Sequence, residues 1–122
     1  MRYQTIDSGA FAAEMAGVKR PCVLDARSRA DFEAGHVPGA RNVPVHDMGR
    51  RMKDLPAVKV ARILVIADPG RRGEAACNFL ALMGYADVAL VGDGIAAWTG
   101  DVETGPEAPR VEPGPELRVI PN

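Results

Sequence analysis

The stretch Ala67-Asp68-Pro69-Gly70-Arg71-Arg72-Gly73 has the residue types that point most directly to chemistry. It follows Ile63-Leu64-Val65-Ile66, four branched apolar residues that read as a strand buried on both faces. It precedes Glu74 to Met83, where Ala76, Phe79, Leu80 and Met83 recur at helical spacing and Gly84 stands where a C-cap glycine belongs. A strand, a tight loop and a helix in that order aim successive backbone N–H groups and a positive helix end into one pocket. Such a pocket attracts an anion. Its first position, directly after the strand, is the natural seat of a nucleophile, and that seat is Ala67. A methyl group has no lone pair and forms no covalent intermediate.

The rest of the loop is mixed. Gly70, Arg71, Arg72 and Gly73 offer backbone N–H groups, and the two guanidinium groups suit an anion. Pro69 has no N–H to give. Asp68 places a carboxylate where an anion approaches; paired with Arg71 or Arg72 it would instead close the loop. Two cysteines exist, Cys22 and Cys77, both inside apolar segments, and they read as buried thiols outside any disulfide framework or metal spacing. His36 follows a helix-ending glycine and reads as a turn-stabilising hydrogen-bonder. His46 has no evident partner, and two isolated histidines do not make a metal site. No cofactor is expected.

These residues need elements to position them. Arg2 to Ile6 suits a short edge strand. Asp7 and Ser8 can cap a helix whose stripe is Phe11, Met15 and Val18, broken at Gly17. Pro21 to Arg27 starts as a buried strand and turns polar at its end. Ser28 then caps a short helix that carries Phe32 and stops at Gly35. His36-Val37-Pro38-Gly39-Ala40 is a turn, and Arg41 to Val45 is a second extended piece. Residues 46–58 hold Met48, Met52 and Leu55 at helical spacing up to Pro56, Tyr85 to Val91 is another buried strand, and residues 92–98 turn into a last helical turn. Strands alternating with helices predict a parallel sheet covered on both faces, with ligands outside the carboxyl ends of the strands. That rule places Asp25 and Arg27 on the same rim as residues 67–73. The plainer reading of the pair is that Asp25 caps a turn while Arg27 braces the loop against Asp31 or Glu33. Trp98 is either core or a wall of the pocket.

The 122 residues suffice for one domain with a core. A net charge of -1 supplies no long-range field for nucleic acid or acidic membranes, and no apolar run approaches a membrane span. Met1 to Gln4 has no apolar h-region behind a basic start, so no signal peptide is expected, and two free thiols fit an expected cytoplasmic setting. Residues 105–122 hold five of the ten prolines and read as a Pro-rich C-terminal extension of a 1–104 domain. Within it Leu117-Arg118-Val119-Ile120 is apolar enough to dock on the domain or on a neighbouring chain.

Two separated signatures carry a resemblance. Val23-Leu24-Asp25-Ala26-Arg27-Ser28, with Asp31-Phe32-Glu33-Ala34-Gly35-His36-Val37-Pro38-Gly39-Ala40-Arg41-Asn42-Val43-Pro44, resembles the first signature of rhodanese-homology domains. Gly84-Tyr85-Ala86-Asp87-Val88, with Gly92-Asp93-Gly94-Ile95-Ala96-Ala97-Trp98, resembles the closing one. The resemblance implies a three-layer α/β fold with a five-stranded parallel core sheet and helices on both faces. It also implies a sulfurtransferase family, whose catalytic cysteine opens a six-residue loop, takes a sulfane sulfur from thiosulfate or a persulfide, and passes it on. That position matches Ala67, so the resemblance puts no catalytic residue here. The related phosphatase loop is one residue longer and has Gly73 at its final arginine position, which argues against phosphoryl transfer. The expected function is a catalytically inactive binding or regulatory module with a weak site for a small oxyanion, a protein partner, or both. The alternative is a thiosulfate or persulfide sulfurtransferase using another thiol. Cys22 lies about 10 Å back along its strand and Cys77 more than a helical turn away, so neither is expected to reach the pocket. A third reading is an oligomerising module built on residues 105–122.

Overall fold

The strand Ile63 to Ile66 alternates its side chains between two cores, and the whole molecule is arranged around that alternation. In the computed structural model, which describes residues 3–68 and 70–108, it is the middle strand of a five-stranded, all-parallel sheet ordered β1-β5-β4-β2-β3. The strands are β1 (Gln4–Ile6), β2 (Cys22–Asp25), β3 (Arg41–Asn42), β4 (Arg62–Ile66) and β5 (Asp87–Val91). The helices are α1 (Ser8–Ala16), α2 (Arg29–Ala34) and α3 (Arg71–Leu82). Successive strand residues face opposite sides. Ile63 and Val65 join a cluster with Met48, Leu55, Ala76, Cys77 and Leu80 beneath α3. Leu64 and Ile66 join Phe11 of α1 and Phe32 of α2 on the other face. This is the three-layer α/β arrangement expected from the alternation of elements.

Local signals fix most of the element ends. Asp7 Oδ1 accepts the Ala10 N–H at 2.8 Å and starts α1. Ser28 Oγ accepts the Asp31 N–H at 3.1 Å and starts α2. Ser28→Ala should destabilise the fold by about 1 kcal/mol, read as a lower urea midpoint with an unchanged slope. At the end of α3 the N–H groups of Tyr85 and Gly84 bond back to the Leu80 and Ala81 carbonyls, with Gly84 at φ 96°. That is a Schellman motif, which needs the left-handed conformation glycine supplies.

Four details depart from the periodicity. α3 begins at Arg71 rather than Glu74, so both arginines belong to its first turn and not to the loop. Val18 falls beyond the Gly17 cap and is fully exposed, so it adds nothing to the α1 stripe. Residues 46–58 form two 3-10 turns, Val45–Arg50 and Met52–Asp54, separated by Arg51 at φ -119°. The break rotates Met52 outward while Met48 and Leu55 stay buried. Strand β5 begins at Asp87, and Tyr85 instead tucks under the domain with its hydroxyl donating to the Pro56 carbonyl.

Residues 103–107 lie on the domain. Glu103 forms an antiparallel bridge with His36, and the Gly105 N–H donates to the Glu33 carbonyl at 2.8 Å. The expected docking segment Leu117 to Ile120 and most of the Pro-rich extension lie outside the described residues. Among the described residues no helix is long and apolar enough to cross a membrane.

Candidate functional site

Register alone brings the site together. β2 and β4 run parallel with Asp25 opposite Ile66, so the chain leaves both strands at the same level. The Ala26 N–H donates to the Ile66 carbonyl at 2.9 Å, and the Val45 N–H donates to the Ala26 carbonyl at 3.3 Å. Residues 26–28, 44–46 and the loop after β4 therefore meet at the carboxyl end of the sheet.

Ala67 is buried at 2% exposure and belongs to the apolar cluster beneath α3. Its carbonyl accepts the Ile95 N–H at 3.3 Å. A Cβ at Gly73 would stand 3.5 Å from the Ala67 methyl and 2.6 Å from Leu90 Cδ1, so glycine lets the first turn of α3 settle over the seat. Gly70 caps α3 at φ 125°, ψ -155°, a conformation that side-chain-bearing residues rarely adopt. Asp68 Oδ2 lies 3.9 Å from Arg72 Nη1, with both side chains about half exposed. A pair that open to water contributes little, so Arg72 is not committed to it. Pro69 lies outside the described residues. Arg71, in the same turn, is exposed.

A cavity of about 210 Å³ opens beside this loop, lined by Ala26, Ser28, Pro44, Val45, His46 and Arg72. It holds one fixed cation, a hydroxyl and an imidazole, a lining suited to a small anion. Ser28 and His46 are the residues that reading along the chain missed as site residues. Nothing in their local spacing marks them, and only the strand register sets them opposite Arg72.

Asp25 and Arg27 do not form an open rim. Both are buried, at 0% and 6% exposure, and they face each other. Arg27 Nη2 meets Asp25 Oδ2 at 2.8 Å, Arg27 Nε meets Asp25 Oδ1 at 3.0 Å, and Nη2 also donates to the Gly35 carbonyl at 2.7 Å. Burial by itself would lower the Arg27 pKa. The hydrogen bonds and charge of Asp25 outweigh it and hold the guanidinium above its ordinary value. Arg27 thus braces against Asp25 itself rather than Asp31 or Glu33, and Glu33 pairs with Arg29 at 2.9 Å. The brace ties the end of β2 to the end of α2. Asn42 completes it by donating from Nδ2 to the Asp25 and Arg27 carbonyls.

Trp98 likewise leaves the rim. Its ring packs 5.1 Å from Phe11 against the opposite face of the sheet, and its Nε1–H donates to the Asp101 carbonyl at 2.8 Å. His36 is buried, stacked on Phe32 at 3.7 Å, with Nδ1 2.7 Å from the Phe32 carbonyl, which is a turn-holding role. The two thiols stay away from the cavity. Cys22, half-buried, sits at the opposite end of β2, level with Ile63. Cys77 is buried under α3, where burial foremost, and then the charge of Glu74, pushes its thiol up to about 12. Iodoacetamide at neutral pH should therefore modify Cys77 on the order of a thousandfold more slowly than an ordinary thiol, and at the normal rate once urea unfolds the chain. Among the described residues no group of three or more His, Cys, Asp or Glu side chains is placed to hold a metal ion.

Comparison with known proteins places this geometry. The family described as the rhodanese-like domain matches residues 9–101. A sulfurtransferase of Allochromatium vinosum is 30% identical over 93 residues, which span 76% of this chain and 85% of that protein. The putative sulfur carrier protein YrkF of Bacillus subtilis is 31% identical over 81 residues, 66% of this chain but only 43% of the relative's length. The crystal structure of the Alr3790 protein from Anabaena superposes with a TM-score of 0.73 at 25% identity, covering 81% of this chain and 82% of that one.

Proposed function

Because the chain belongs to the rhodanese-like domain family and yet holds a buried methyl group at the first position of its loop, we propose that it works by binding and not by transferring sulfur. Ala67 carries this reading. Sulfur transfer from thiosulfate requires a thiolate to attack the outer sulfur, form a persulfide and expel sulfite. Neither a methyl group nor the adjoining Asp68 does this, and the family's relatives named sulfurtransferases make the difference consequential. What persists is a cradle: the amino-terminal turn of α3, Arg72, Ser28 and His46 around a cavity with room for a small oxyanion. Asp68, whose Oδ2 lies 3.9 Å from Arg72 Nη1, weakens the site, which suits a ligand that comes and goes, or the anionic group of a protein partner.

Transfer through a different thiol is the competing reading, and the positions of Cys22 and Cys77 oppose it. Titration of the chain with sulfate or thiosulfate, followed by amide chemical shifts, tests the binding reading. Shifts should concentrate at residues 70–73, 28 and 46, and Arg72→Ala should weaken the site about fivefold to tenfold. Equal binding by the variant, or shifts elsewhere in the fold, would remove the anion site.

A further inference from the structure

We propose that a cleft at the amino end of the sheet binds a small soluble organic phosphate, a charged group carried on a short aliphatic body. Cys22 opens β2 and Arg62 opens β4, and both border the cleft. It therefore lies at the opposite end of these strands from the loop after β4, and it shares no lining residue with the proposed anion site.

Charge is the first argument. The cleft has a volume of about 580 Å³, against about 210 Å³ for the cavity beside Arg72. Four cations line it, Lys19, Arg20, Arg41 and Arg62, against the single carboxylate of Asp87. Arg62 is committed: Asp87 Oδ1 lies 2.8 Å from its Nη1, and Glu14 Oε2 lies 2.6 Å from its Nη2. Lys19 and Arg20 are not. Arg20 Nη2 reaches only neutral acceptors, the Pro38 carbonyl at 3.4 Å and Met15 Sδ at 3.9 Å. Lys19 is exposed and meets no carboxylate among the described residues. Neither is spent on a helix end. The Gly17 N–H donates to the Glu14 carbonyl at the end of α1, and Lys59 Nζ donates to the Met83 carbonyl at the end of α3. An ammonium and a guanidinium adjacent in the chain, both without a counter-charge, suit a phosphate dianion.

Apolar surface is the second. Pro56 and Val60 also line the cleft, and Val60 is 72% exposed. Val18 and Val58, each within two residues of a lining residue, are exposed as well. A bare phosphate would leave this surface in water, whereas an aliphatic body on the phosphate would cover it. No aromatic ring lines the cleft, so it lacks the stacking platform that a nucleobase uses. With a net charge of -1 the whole chain has no attraction to an anionic membrane, which favours a soluble ligand over a lipid headgroup.

Titration of the full chain with hexyl phosphate, followed by amide chemical shifts, tests the cleft. Shifts should appear at residues 19–22 and 60–62. Hexyl phosphate should bind about tenfold more tightly than inorganic phosphate, which is the effect of burying about two methylene groups. Hexanol, which lacks the charge, should bind at least about tenfold more weakly than hexyl phosphate. The Lys19→Gln, Arg20→Gln variant should lose about tenfold in affinity for hexyl phosphate. A measurement on the unaltered chain stands beside it: raising the ionic strength from about 0.02 to about 0.3 M should weaken binding about threefold. Vesicles of phosphatidic acid separate the two sources of such a group, and the chain should stay in the supernatant when they are sedimented. Shifts confined to residues 70–73, 28 and 46 would return the ligand to the anion site described above and overturn the proposal. Equal binding by the double variant, equal binding of hexanol or of inorganic phosphate, indifference to salt, or co-sedimentation with the vesicles would overturn it too.

Discussion

Ala67→Cys is expected to turn the chain into one that takes up sulfur from thiosulfate, one atom per molecule, and releases it to cyanide. The introduced sulfur would lie where the first turn of α3 settles over the strand end, with Gly73 leaving room for it. Helix amino termini lower thiol pKa values, so the new group would carry substantial thiolate at neutral pH. Asp68 should hold the gain down by repelling the anionic donor. Removing its charge as well, in Ala67→Cys with Asp68→Asn, should raise turnover about a further tenfold, the equivalent of about 1.4 kcal/mol. Steady-state release of thiocyanate reads both effects. An Ala67→Cys protein that folds and takes up no sulfur would mean that the loop differs from an active one in shape and not only in its nucleophile.

Arg27→Ala should be the most damaging single change in the fold, destabilising it by about 3–5 kcal/mol. Asp25 has no exposed surface, so removing its partner leaves a carboxylate within the fold without its counter-charge. The change also deletes the hydrogen bond to the Gly35 carbonyl that ties α2 to the end of β2. Such a loss is a large part of the 5–15 kcal/mol typical of a domain. Glu33→Ala, which breaks the Arg29 pair, should cost less than about 1 kcal/mol because Arg29 is mostly in water. Urea unfolding of the two variants side by side separates a buried brace from a surface pair. Similar losses for both would mean that the Asp25–Arg27 contact is not the structural link described above.

The elements that could be seen in the sequence are those specified by neighbours in the chain. Four branched residues marked β4, Ser28 and Gly84 marked helix ends, and Gly39, at φ 84°, marked the turn after α2. Those signals, with the alternation of strands and helices, were enough for a parallel sheet and for the position of the loop. What escaped depends on contacts between distant residues. Asp25 and Arg27 are two residues apart, yet their burial against Gly35 and Asn42 follows only once β2, β3 and α2 are packed. Ser28 and His46 reach the cavity through register, which periodicity does not encode. Met52 failed because a 3-10 break at Arg51 shifted its phase by a fraction of a turn. Glu107 gave no local signal at all, since its partner, Asn42, lies 65 residues earlier.

The most direct test is the intact mass of the wild-type chain after incubation with excess thiosulfate, without added reductant. The binding account predicts an unchanged mass, because Ala67 cannot accept the atom, Cys22 stands at the far end of its strand, and Cys77 is buried with its proton held. A gain of one sulfur atom, mapped by proteolysis to either cysteine and lost on adding cyanide, would contradict it.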